Sequence, residues 1–213
     1  MKLSNRLETL FDLIPDGCRL VDVGTDHGLL VVKAILEGKA EYAYALDIAS
    51  SPLEQARQNV NKYEISDKVS LELRDGLQGF EGDANCYVLA GMGAETIWMI
   101  LEDYDFNDSD IIIIQANTKL PWLRESLAEG GFEIIDERYL LDRNIPTFMM
   151  KVIKSQDTIE LSDYDKWIGP ILKDSQDEDY LTYLNNRYRH LREIKHFDDI
   201  LLEEYNVIQG IIL

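Results

Sequence analysis

Five short, largely apolar runs, each ending at or one residue before a glycine, aspartate or glutamine, constrain this chain more than any other feature. They are Arg19 to Val23, Tyr42 to Leu46, Val69 to Leu73, Tyr87 to Ala90 and Ile111 to Ile114, and they stop at Gly24, Asp47, Asp75-Gly76, Gly91 and Gln115. Unbroken apolar strands separated by amphipathic helices are what a parallel sheet covered on both faces demands. The spacing predicts helices over Gly28 to Leu36, Ser51 to about Tyr63, Glu95 to Leu101 and Pro121 to Ala128. Ser51 is the expected cap of the second, with Pro52 at the first helical position, where its missing N–H is harmless. Ahead of the first strand, Leu3, Leu7, Leu10, Phe11 and Ile14 recur every three or four residues, a short helix ended by Pro15-Asp16-Gly17.

The sheet does not close on another helix. Phe132 to Leu141 and Thr147 to Ile153 read as strands joined by a turn at Asn144 to Pro146. A terminal hairpin favours a methyltransferase sheet over a nicotinamide-binding one. After Ser155 the composition turns acidic and helical, with Leu181, Leu184, Tyr188 and Leu191, then Leu201, Tyr205, Ile208 and Ile212, at helical spacing. The expected organisation is an α/β, Rossmann-like methyltransferase domain over 1–155 and a small helical domain of two packed helices over 156–213.

With 213 residues, 46% hydrophobic and 29% charged, the chain can bury one full core and a small appendage. Its longest apolar runs are too short for a membrane span, and the charged, amphipathic start reads as structure, not as a signal, so the expected location is the cytoplasm. Cys18 and Cys86 alone make neither a disulfide framework nor a four-ligand metal site. No metal is expected, and no obligate protein partner is evident. The net charge of −19 opposes nonspecific nucleic-acid binding, so any such role needs a local basic patch.

Ligands of such sheets bind at the carboxyl ends of the strands, which directs attention to Asp22-Val23-Gly24-Thr25-Asp26-His27-Gly28. It is neither a dinucleotide fingerprint nor a triphosphate loop, and alone it could be a tight connection. Asp47 at the end of the second strand stands where a carboxylate holds both hydroxyls of a ribose, and Asp75-Gly76 adds a third acidic loop at the same edge. Together these residues suggest an adenosine-containing cofactor, and the sheet pattern leans it toward S-adenosylmethionine. Ala90-Gly91-Met92-Gly93 follows the fourth strand, where small residues keep the floor of a site open. Gln115-Ala116-Asn117 adds amides able to read the edge of a base.

This set of segments closely resembles the bacterial tRNA (adenine-22-N1)-methyltransferase family, known as TrmK. The resemblance runs from Leu3-Ser4-Asn5-Arg6-Leu7 through the Asp22, Asp75, Ala90 and Gln115 segments to Gly169-Pro170. It implies a methyltransferase sheet with a coiled-coil-like helical tail, S-adenosylmethionine as cofactor, tRNA as partner and N1 of adenine 22 in the D-arm region as acceptor. The chain departs from the family pattern at Val31, Ala94 and Ala116, where proline, glycine and proline are usual.

On that basis Asp26 is the candidate for stabilising the transition state and Asn117 for orienting the base. Asp22, Gly24, His27, Asp47, Asp75, Gly76 and Ala90 to Gly93 are the candidates for holding the cofactor. Arg6, Gln115, Arg187, Arg189, Arg192 and Lys195 are the candidates for tRNA. The target adenine, paired or stacked in the tRNA, is expected to be displaced. A methyltransferase for a small molecule, a noncatalytic cofactor-binding module and, least, a nicotinamide dehydrogenase are the rivals.

Overall fold

In the computed structural model, which describes residues 1–212, the strands are β1 (Cys18–Val23), β2 (Ala40–Asp47), β3 (Val69–Leu73), β4 (Cys86–Met92), β5 (Ile111–Ala116), β6 (Phe132–Asp142) and β7 (Ile145–Lys154). They form one sheet in the order β3-β2-β1-β4-β5-β7-β6, parallel except for β7, which inserts antiparallel between β5 and β6. The expected α/β methyltransferase sheet is therefore the observed one. Chain direction across the sheet reverses between β1 and β4, and a crevice opens outside their carboxyl ends.

Helices α1 (Asn5–Leu13), α2 (Leu29–Leu36) and α3 (Ser50–Lys62) cover one face, and α4 (Ala94–Glu102) and α5 (Leu120–Glu129) the other. On the first face Leu10, Leu13, Val31, Val32 and Val60 pack against Leu20, Ala43 and Val88. On the second, Ile97, Leu101, Leu123 and Leu127 pack against Val21, Leu89, Ile112 and Ile114. Alternate residues of each strand thus feed opposite cores, as the pleat requires.

Two sequence expectations shift along the chain. Helix α3 begins at Ser50, not after a Ser51 cap, because Asp47 Oδ1 accepts from Ala49 N–H at 2.9 Å and tightens the turn before it. Pro52 still falls within the first turn, where no intrahelical acceptor exists for the N–H it lacks. The hairpin turn is Arg143-Asn144, both at positive φ (49° and 66°), and not Asn144 to Pro146. A two-residue turn with this handedness matches the twist of the strands. Pro146 lies in β7 beyond the stretch paired with β5, so its missing donor costs no ladder bond on that side.

The tail contains more than the two expected helices. A capped helix α6 (Asp163–Ile168), a 3-10 turn (Leu172–Asp174), α7 (Glu178–Glu193) and α8 (Asp199–Ile212) surround Ile168, Leu172, Tyr180, Leu184, Tyr188, Leu191 and Ile208. Ser162 and Asp165 form a capping box on α6, a short polar signal with no apolar stripe to announce it. Tyr139 of β6 and Phe148 of β7 pack on Tyr180 and Tyr183, so the hairpin end of the sheet is part of this third core.

Where the tail meets the sheet, Arg124 and Glu137 are both completely buried. Arg124 Nε donates to Glu137 Oε1 at 2.9 Å, and its Nη1 donates to the carbonyl of Lys166 at 2.9 Å. The other carboxylate oxygen accepts from Ile171 and Leu172 N–H at 3.0 and 3.2 Å. Gly169, at φ +109°, passes so close that a Cβ there would collide with Glu137 Oε2. This is the physical reason for glycine in the Gly169-Pro170 segment.

Candidate active site at the strand ends

The turn after β1 is shaped by backbone geometry few residues tolerate. Gly24 and Gly28 have positive φ, and so does Asp26 at +54°. A Cβ on Gly24 would lie 2.7 Å from the Met92 methyl, so Met92 packs where only glycine fits. Asp22 is buried and accepts from Thr25 Oγ1 at 2.7 Å. Asp47 joins the first two loops, accepting Asp26 N–H at 3.3 Å on one oxygen and Ala49 N–H on the other. Each Asp47 oxygen keeps a lone pair for a ligand hydroxyl.

At β4 the ladder with β5 slips between Ala90 and Met92, and the irregularity throws Gly91 (φ +82°) outward. A chain of hydrogen bonds fixes this bulge. Arg6 Nη1 donates to Gln115 Oε1 (3.0 Å), Gln115 Nε2 donates to Asn117 Oδ1 (2.9 Å), and Asn117 Nδ2 donates to the Gly91 carbonyl (2.9 Å). Arg6, Asp22, Gly24, Thr25, Asp26, His27 and Ala90 thus converge on one hollow. A neighbouring hollow is lined by Asp75 and Gly76 with Thr96 and Ile100 of α4. The His27 ring lies 3.5 Å from Asp26 Oδ1, and both side chains are open to solvent.

The structure brings together the candidates on β1, β2, β4 and β5 but separates the basic tail residues. Arg187 faces α8 and forms a bidentate pair with Glu204, both bonds 2.6 Å. Arg189, Arg192 and Lys195 are not held in this way, and Arg192 rests over the Tyr188 ring at 5.8 Å. Arg6 reaches over the strand ends from α1. Sequence reasoning missed Thr25 as the partner of Asp22, although the spacing of three residues across a turn was visible. Val31 and Ala94 are fully buried in their helices and Ala116 closes β5; none lines the hollow.

Burial pushes the Asp22 carboxyl up to about 6, opposed by the Thr25 hydrogen bond and Arg6 and reinforced by Asp47 and Asp26. The native state then holds this proton more firmly than the unfolded chain does. Asp22 accordingly lowers stability as pH rises from about 4 to about 6, by an amount on the order of 3 kcal/mol, and the loss persists above that range. Asp22→Asn is expected to flatten this part of the stability–pH curve, measured by urea unfolding at pH 4 to 6.5. An unchanged slope would show that Asp22 is ionised throughout.

A family profile described as a methyltransferase domain matches residues 3–148. The chain belongs to this methyltransferase family. Over 140 residues it is 34% identical to the Bacillus subtilis tRNA (adenine(22)-N(1))-methyltransferase, a match covering 64% of this chain and 59% of that relative's length. Among solved structures, the B. subtilis m1A22 tRNA methyltransferase TrmK aligns with a TM-score of 0.86 at 26% identity, covering 99% of both chains. M. capricolum TrmK, in complex with S-adenosylhomocysteine, aligns at 0.83 and 25% identity, over 99% of this chain and 96% of that one. These relatives carry the family name that the sequence resemblance points to. Among the described residues no helix is long and apolar enough to cross a membrane, and no group of three His, Cys, Asp or Glu is placed to hold a metal.

Proposed function

We propose that this methyltransferase uses S-adenosylmethionine to methylate N1 of adenine 22 in the D-arm region of tRNA, in the cytoplasm and without an obligate protein partner. The observation that carries the reading is the full-length likeness, helical tail included, to chains named for that activity. The residues present fit the cofactor. Asp22, Asp26, Asp47 and Asp75 ring the strand ends and suit a ligand bearing a sulfonium and an ammonium, and the outward Gly91 bulge leaves backbone open to it.

In this reading Asp47 holds the ribose hydroxyls, Asp75 and Gly76 border the adenosine, and Gly24, His27 and Ala90 to Gly93 form the walls. S-adenosylmethionine supplies a methyl group electrophilic enough to react without further activation. Adenine N1 carries a free in-plane lone pair at neutral pH, so the chain need not supply a strong base. Positive charge grows on the base during transfer, and a carboxylate accepting from the adenine N6 amine stabilises the transition state more than the ground state. Asp26, exposed at the mouth, takes that role. Asn117, its amide orientation set by Gln115 and Gly91, orients the base through its remaining donor and lone pair.

The helical domain, residues 156–213, takes the tRNA. Arg189, Arg192 and Lys195 supply its cations, and against a net charge of −19 they give weak binding with steep salt dependence. Replacing Arg189 and Arg192 together by alanine is expected to weaken tRNA binding for every sequence and to reduce the log–log salt slope by about one for each phosphate left unneutralised. Filter binding across a salt series measures it; an unchanged slope removes these residues from the interface.

The acidic surface favours one alternative, a small-molecule acceptor. Single-turnover incubation with methyl-labelled cofactor and unmodified tRNA tests the choice: label in tRNA supports the proposal, and label released only to added small acceptors rejects it.

A further inference from the structure

A hollow of about 690 Å³ opens between the sheet and the tail, walled by Pro121 and Trp122 of α5, Trp167 of α6, and Ile200 and Leu201 of α8. Its size suits one small planar group, roughly 300–1,000 Å³ being usual for such pockets. It begins at the strand ends. Asn117, whose N–H donates to the Met92 carbonyl at 2.8 Å, is followed two residues on by Lys119, which turns the chain into α5 at φ +51° and lines the hollow. The polar side chains around it are spent on one another: Lys119 pairs with Glu95, Lys166 with Glu203 at 2.6 Å, and Arg187 with Glu204. Trp167 Nε1 also donates to Glu203, at 2.9 Å, which fixes that ring. With Glu125 added, four carboxylates face three cations, so a phosphate gains no net attraction here. What remains for a ligand is aromatic and aliphatic surface, with Trp122 38% and Ile200 65% exposed.

Resting on the tRNA reading above, we propose that this hollow receives the base of a nucleotide adjoining the target adenine, stacked on Trp122. An adenine taken out of its stack leaves its neighbours without a stacking partner on one side, and an indole beside the site replaces what one of them has lost. Every base has a π-face, so this contact positions the strand without reading its sequence. Only Thr118 separates Asn117 from Lys119, which places the hollow where a nucleotide next in the strand reaches it. Trp122 belongs to the sheet and Ile200 and Leu201 to the tail, so a base seated between them ties the acceptor site to the part of the chain that carries Arg189 and Arg192.

Filter binding of unmodified tRNA across a salt series tests this. Trp122→Ala is expected to weaken tRNA about 10- to 100-fold, the scale of one base–aromatic stack, with an unchanged log–log salt slope, because stacking releases no counterions. Trp122→Phe should restore most of the affinity, and S-adenosylhomocysteine binding within about twofold of the unaltered chain shows that the alanine variant is folded. On tRNA lacking the base before or after adenine 22, the cost of Trp122→Ala should fall to within about twofold for one of the two, the position that occupies the hollow. A smaller salt slope in Trp122→Ala, or an undiminished cost on both abasic tRNAs, overturns the stacking assignment. No loss on any tRNA overturns it as well and leaves an apolar protein segment as the occupant. Failure of the unaltered chain to bind tRNA would instead overturn the tRNA reading, and this contact with it.

Discussion

Glu137→Ala is expected to lower stability by about 3–5 kcal/mol, because it leaves the Arg124 guanidinium buried with no counter-charge. The loss extends past one ion pair. Glu137 Oε2 is also the acceptor for two backbone N–H groups at the entry to the 3-10 turn, and these would be stranded in an apolar setting. Since Arg124 also holds the end of α6, the tail should loosen first, and hydrogen exchange in residues 163–174 should rise before exchange in the sheet. Urea unfolding measures the total. The double variant Arg124→Met with Glu137→Leu is expected to recover only the share due to the unpaired guanidinium, because the Ile171 and Leu172 N–H groups and the Lys166 carbonyl still lose their partners. A cost below about 1 kcal/mol for Glu137→Ala would mean that water reaches the junction.

The second large effect separates the roles of two carboxylates, Asp26 and Asp47. Asp26→Ala is expected to lower kcat about 100-fold, the scale for removing one group aimed at developing charge, with cofactor affinity within about twofold. Asp47→Ala is expected to weaken the cofactor about 10- to 100-fold, the scale of hydrogen bonds to a charged group. Because Asp47 also holds Asp26 N–H, its removal should lower kcat modestly as well. Asp47→Asn, able to accept one such bond, should restore kcat more than affinity. Steady-state kinetics with binding titrations distinguishes the roles. Loss of cofactor affinity in Asp26→Ala with normal saturated turnover would reverse the assignment.

Much of the fold was legible in the chain because the central strands β1, β4 and β5 are buried on both faces and so announce themselves as apolar runs. Each predicted parallel strand occurs, and the hairpin after them appears with its turn moved toward Arg143. The loops at their ends were legible as well, since Gly24, Asp47, Asp75 and Gly91 are residue types a binding edge demands. What escaped detection depends on long-range partners. Arg124 and Glu137 look like ordinary surface charges on α5 and β6, and only packing of the tail buries them. Helix α6 spans six residues, too few for an apolar period to emerge. Arg187 belongs to a run of basic residues on α7, but a helix turns about 200° between it and Arg189, which sends Arg187 toward Glu204 and Arg189 away from it. Arg6 could not be placed from sequence, because its partner Gln115 is 109 residues away.

Methylation of adenine 22 is tested most directly by mapping the product of methyl transfer to bulk unmodified tRNA, using nucleoside mass spectrometry followed by position-resolved sequencing. The expected product is N1-methyladenosine at position 22 and nowhere else, abolished when that adenine is replaced. Methylation of another atom or position, or no transfer to tRNA by protein that binds S-adenosylmethionine, would contradict the proposed function.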